Sequence, residues 1–122
     1  MISAIIVAGG SGDRFGGEIP KQFIKLNNKQ IIDYSIEKFE KNVNEIIIVC
    51  HENWIQYIED KYPNHKVVKG GNTRNKSVSK GLSKLCSKTT IVLIHDAARP
   101  FIDEQTIENC IQKLKVYDCV AP

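Results

Sequence analysis

The 122-residue chain has no apolar run near the ~20 residues that a membrane helix needs. No basic-then-apolar signal segment opens it, so the expected location is the cytoplasm, with no membrane partner. Neither sign of charge dominates: 17 Lys and Arg stand against 14 Asp and Glu, a net charge of +3. The lysines are scattered over helical segments as solvated faces, which leaves no basic patch to argue for nucleic acid. Cysteine is sparse, at positions 50, 86, 110 and 119, and no pair forms Cys-x-x-Cys. The histidines are not at ligand spacing from them, so neither a zinc site nor a disulfide framework is expected. These cysteines read as small buried hydrophobes in a reducing compartment.

Two familiar phosphate-binding signatures are also missing. The phosphate loop Gly-x-x-x-x-Gly-Lys-Ser/Thr fails because no glycine precedes Lys21 and no hydroxyl residue follows it. The dinucleotide fingerprint Gly-x-Gly-x-x-Gly fails because Phe15 stands at its third position, which weakens a reading as an oxidoreductase.

What is present is a concentration of glycine. Gly9, Gly10, Gly12, Gly16 and Gly17 are five of the chain's eight. They follow a continuous apolar run, Ile2 to Val7, which reads as a buried parallel strand. Successive N–H groups in such a loop make a concave anion site. Arg14 offers a planar two-pronged cation and Lys21 a compact one, and Pro20 partly presets the approach of Lys21. A cradle guarded by two cations suits a polyphosphate.

Further along, Phe23–Leu26 reads as a brief extended piece before a polar turn at Asn27-Asn28. Ile32, Ile36 and Phe39 recur at helical spacing and predict a helix over 31–42. Residues 45–50 read as a second apolar strand. A helix with Trp54 or Ile55, Ile58 and Tyr62 inward is stopped by Pro63. Residues 66–69 form a short strand, and Gly70-Gly71 open a polar loop. Val78, Leu82 and Leu85 mark a third helix, inside which Gly81 implies a close packing contact. Residues 90–94 read as a strand leading into His95-Asp-Ala-Ala-Arg-Pro100. Ile107, Ile111 and Leu114 give a fourth helix capped by Asp103. Cys119–Pro122 reads as the start of a fifth strand.

Strands that are apolar throughout, alternating with helices, predict a mainly parallel sheet covered on both faces. Such sheets bind ligands beyond the carboxyl ends of their strands. The unusual loops, 8–22, 70–77 and 95–100, all follow strands, so three of them can line one crevice. In the second, the paired glycines expose backbone that can read a base edge, while Asn75 or Ser77 either caps the helix or joins in binding. In the third, Asp96 is either a magnesium ligand, needing few protein partners when phosphates and waters supply the rest, or the partner of Arg99 in a local ion pair. His95 reads as structural, hydrogen-bonded to neighbouring backbone.

Ala8-Gly-Gly-Ser-Gly-Asp-Arg14, Pro20-Lys-Gln22, Gly70-Gly-x-x-Arg-x-x-Ser-Val78 and His95-Asp-Ala-Ala-Arg-Pro100 occur in this order. Together they resemble the cytidylyltransferases that make CDP-methylerythritol from 2-C-methyl-D-erythritol 4-phosphate in the non-mevalonate route to isoprenoid precursors. The relatives acting on ribitol 5-phosphate share most of these motifs, and a nucleotide-binding fragment without catalysis is the alternative from another class. The resemblance implies a single Rossmann-like three-layer α/β/α nucleotidyltransferase domain over 1–122. It implies Arg14 and Lys21 as catalytic residues at the α-phosphate and Asp96 as the Mg2+ ligand. Ala8, Gly9, Gly10, Gly12, Gly71, Asn72, Arg74, Ser77 and Ala97 are its expected nucleotide contacts. Asn72 departs from the pattern, because an acidic residue is common there. The partners implied are CTP and a sugar-alcohol phosphate. Pro122 falls where the family's Ala-Pro-Val strand continues, so an amino-terminal portion of a homodimeric enzyme is expected, its acceptor ligands and dimerisation arm lying further on.

Overall fold

The computed structural model describes residues 1–8 and 19–122. A four-stranded parallel sheet organises them. Its strands are β1 (Ile2–Ala8), β4 (Glu45–Cys50), β5 (Lys66–Lys69) and β6 (Ile91–Asp96), in the order β5-β4-β1-β6. A small antiparallel hairpin, β2 (Lys25–Leu26) and β3 (Lys29–Gln30), precedes the first helix. Its turn is Asn27-Asn28, with φ of 54° and 65°. Both asparagines are thus left-handed, as a two-residue hairpin turn requires and as asparagine tolerates.

The helices are α1 (Ile31–Glu40), α2 (Ile55–Lys61), α3 (Arg74–Leu82) and α4 (Glu104–Lys113). Strand parity divides the core between two faces. Ala4, Ile6, Ala8, Ile46, Ile48 and Cys50 point one way and pack with Ile32, Ile36 and Phe39 of α1, Ile58 of α2 and Ile107 of α4. Ile5, Ile47 and Val49 point the other way, joined by Val7, Val68, Leu85 and Val92, and α3 lies on this side against β1 and β4. The result is the expected three-layer α/β/α arrangement. No helix among the described residues is long and apolar enough to cross a membrane.

Strands 45–50 and 66–69 match their sequence-based bounds, and Asp103 caps α4 by accepting from the Thr106 amide at 2.7 Å. Four expectations need correction. The third helix starts at Arg74, and its N-cap is Thr73, whose Oγ1 accepts from the Lys76 amide at 3.1 Å. Neither Asn75 nor Ser77 is the cap. Ser77 and Gly81 are its buried residues, while Leu82 is 44% exposed, because four-residue spacing from Ser77 fixes the inner stripe. The fourth sheet strand runs on to Asp96, since His95 and Asp96 pair with Ile6 and Val7 of the central strand. Finally, residues 119–122 form no strand: they pair with no strand among the described residues, and Cys119, Ala121 and Pro122 are exposed.

Candidate functional site at the carboxyl edge of the sheet

Register places the strand ends side by side. Ala8 stands opposite Cys50, Cys50 opposite Lys69, and Val7 opposite Asp96. The Gly70 amide donates to the Cys50 carbonyl at 2.8 Å and the Ala97 amide to the Val7 carbonyl at 2.9 Å. The three loops singled out from sequence therefore leave the sheet along one edge.

Gly9, Gly10, Gly12 and Arg14 lie outside the described residues. Where the chain is described again, Pro20 is buried and Lys21 is exposed at the start of a 3-10 turn, Lys21–Phe23. Gln22 is buried, and its Nε2 donates to the Ala8 carbonyl at 3.2 Å. That bond anchors the residue after Lys21 to the end of the central strand. Phe23 follows as a second anchor, its ring 4.5 Å from Trp54 and 5.3 Å from Tyr57. Lys21 thus projects from a turn fixed on both sides. Pro20 presets the backbone before Lys21 as expected, but Phe23, expected in an extended piece over 23–26, belongs to the turn, since only Lys25–Leu26 forms the strand.

The second loop closes on itself. Ser77 Oγ, 2% exposed, accepts from the Gly71 amide at 3.2 Å and donates to the Gly71 carbonyl at 3.4 Å. A Cβ on Gly71 would meet Lys76 Cβ at 2.4 Å, so only glycine lets the loop approach α3 this closely. The Ser77 hydroxyl shapes the loop, and the exposed Asn72 lies at its tip. The first turn of α3 contains no acidic residue; Arg74 and Lys76 occupy it.

Parity decides the third loop. His95 faces the α1 side and Asp96 the α3 side. The His95 ring lies 5.1 Å from Phe39, and its Nε2–H donates to the Arg99 carbonyl at 2.9 Å. Ser35 Oγ donates to the same carbonyl at 3.1 Å. Burial pulls the imidazole below its usual pKa, and the hydrogen bond to Arg99 and the charge of Asp96 only partly offset this. His95 is thus a neutral brace for the 97–100 turn, in line with the structural role expected from sequence. Ser35 was not anticipated, since a serine on a helix stripe carries no signal of its own. Ala97 is fully buried and continues the ladder.

Asp96 Oδ1 accepts from Arg74 Nε at 3.1 Å, and Oδ2 lies 3.6 Å from Arg99 Nε. The structure therefore joins the second loop to the third through Arg74, and the Arg99 ion pair considered from sequence is present beside it. The Asp96 side chain is one-third exposed. No group of three His, Cys, Asp or Glu side chains gathers among the described residues. A single accessible carboxylate fits Mg2+, which takes its remaining oxygens from phosphate and water, better than an ion that demands a full protein cage.

A concavity of about 360 Å³ lies at the opposite edge, among Met1, Glu40, Glu45, His65 and Lys66. Its polar side chains pair with one another, Lys66 lying 2.7 Å from Glu45 and His65 Nε2 2.7 Å from Glu40.

The family described as IspD, 2-C-methyl-D-erythritol 4-phosphate cytidylyltransferase, matches residues 2–122. A relative with that name from Caldicellulosiruptor bescii is 42% identical over 127 residues, covering 98% of this chain and 56% of its own length. A ribitol-5-phosphate cytidylyltransferase from Lacticaseibacillus paracasei is 38% identical over 129 residues, covering 96% and 55%. The solved 4-diphosphocytidyl-2C-methyl-D-erythritol synthase of Anaerococcus prevotii superposes with a TM-score of 0.79 at 29% identity, over 94% of this chain and 51% of that one. The chain spans little more than half the length of the relatives it matches. The match runs through all three loops that follow the strands, and the chain belongs to the IspD family of cytidylyltransferases.

Proposed function

We propose that the protein transfers a cytidylyl group from CTP to 2-C-methyl-D-erythritol 4-phosphate, giving CDP-methylerythritol and pyrophosphate. The observation that carries the reading is the meeting of Asp96 with Arg74 at the carboxyl edge, beside the Gly71–Ser77 loop. An anionic phosphate oxygen of the acceptor attacks the α-phosphorus in line. A new P–O bond forms as the bond to the β-phosphate oxygen breaks, and the electron pair leaves on pyrophosphate. The acceptor needs no general base, and none is assigned to His95, whose Nε2–H is engaged by the Arg99 carbonyl. Lys21 and, from the family motif, Arg14 are assigned to the charge that grows on the α-phosphate and the leaving group, where cations are most effective. The Gly71 carbonyl, which keeps a second lone pair beside its bond from Ser77, offers an acceptor to the cytosine edge. Asp96 would hold Mg2+, which when bound would supply charge neutralisation to the phosphates.

The test is pyrophosphate release from CTP with each acceptor offered separately. Turnover on the methylerythritol phosphate should exceed that on ribitol 5-phosphate, and Lys21→Ala should lower kcat about 100-fold or more. Near-normal turnover by the variant removes Lys21 from the mechanism. The 38% identity to a ribitol-5-phosphate enzyme favours that acceptor as the second reading, and preferential turnover of ribitol 5-phosphate would establish it. CTP binding in calorimetry without pyrophosphate from either acceptor would leave a binding module.

A further inference from the structure

Arg74 has no local reason to be where it is. It is the first residue of α3, where the helix dipole disfavours a cation, and no acidic residue accompanies it in that turn. Its partner comes from another element: Nε donates to Asp96 Oδ1, at the end of β6, at 3.1 Å. Arg99 sits at 3.6 Å from the second oxygen, beyond hydrogen-bonding range. Both oxygens of Asp96 therefore face a guanidinium, and any cation that binds this carboxylate must share or displace one of them.

We propose that Arg74 is a positioning residue whose guanidinium and the divalent cation are alternative partners of the Asp96 carboxylate. Arg74 screens Asp96 from the triphosphate until the metal takes over that oxygen, and the released guanidinium then turns to the nearest remaining anion, a phosphate. The inference rests on the reading of Asp96 as the metal ligand and adds a role for a residue that does not touch the metal. Arginine suits it because its charge is permanent and its Nε–H has a fixed direction.

The experiment measures CTP affinity by calorimetry without acceptor, in EDTA and in Mg2+, and takes the ratio of the two Kd values. Arg74 is more than half exposed, so Arg74→Gln folds, with circular dichroism as the check. In Arg74→Gln the ratio should rise about fivefold over the unsubstituted protein, because a bare Asp96 then opposes the triphosphate when no metal is present. Arg74→Lys should restore most of the original ratio. In an Asp96→Asn background, Arg74→Gln should leave the ratio unchanged. If Arg74→Gln weakens CTP equally in both conditions, Arg74 is a phosphate ligand only; the proposal is overturned while the reading of Asp96 survives. If Asp96→Asn alone leaves the ratio where it was, Asp96 is not the metal ligand, and both fall.

Discussion

Gly81 sits so close to Ile5 that a Cβ built on it would stand 2.7 Å from Ile5 Cγ2, with Val49 Cγ2 at 3.1 Å. Ile5 is fully buried in the central strand and cannot withdraw. Alanine here gains about 1 kcal/mol of helix propensity, yet overpacking a rigid contact costs about 1–3 kcal/mol. Gly81→Ala should therefore lower stability by about 1 kcal/mol, seen as an earlier urea midpoint with an unchanged slope. A later midpoint would show that α3 can shift on the sheet.

Acid should loosen the brace beneath the 97–100 turn. Burial depresses the His95 pKa below its ordinary 6.5; the hydrogen bond to the Arg99 carbonyl and the charge of Asp96 oppose this, and the charges of Arg99 and Lys38 add to it. The unfolded chain then binds this proton more readily than the folded one. The contribution of His95 to stability is complete above about pH 6.5 and is lost as the pH falls towards the folded value. Urea midpoints taken from about pH 7.5 down to about pH 5.5 should fall, and His95→Gln, which keeps a donor and does not titrate, should flatten the decline. An equally steep decline in the variant would assign it to other groups.

Thiol reactivity should rank by depth. Cys50 is fully buried at the end of β4, and burial pushes its thiol up to about 12, with the charge of Glu59 adding to this. Cys119 is exposed, and Cys86 and Cys110 are half-buried. A disulfide reagent at about pH 8 should modify Cys119 first and Cys50 only after the strand opens. Labelling of Cys50 at the rate of Cys119 would contradict the packing of that face.

The sheet was legible because its strands are uninterrupted apolar runs. Glu45–Cys50 and Lys66–Lys69 could be bounded to the residue, and Gly81 announced its contact. Polar residues hid the rest. His95 and Asp96 look like loop residues, yet they complete the ladder because their backbones pair with Ile6 and Val7. Thr73 was overlooked as a cap because serine and asparagine follow it closely. Leu82 drew the inner face of α3 towards itself, whereas the close approach of helix to sheet selected Ser77 and Gly81. Arg74 was legible as part of a motif, but its partner was not, since the ion pair joins residues brought together only by the crossover.

The alternation of β6 has a consequence for how this chain can change. His95 and Asp96 are neighbours along the backbone but belong to opposite faces of the sheet, one beneath the turn and one beside α3. Deleting a single residue earlier in that strand would exchange them, turning an imidazole towards the α3 side and a carboxylate towards Phe39. Substitutions at this end of the sheet are thus open to gradual drift, whereas insertions and deletions within β6 are all-or-nothing events.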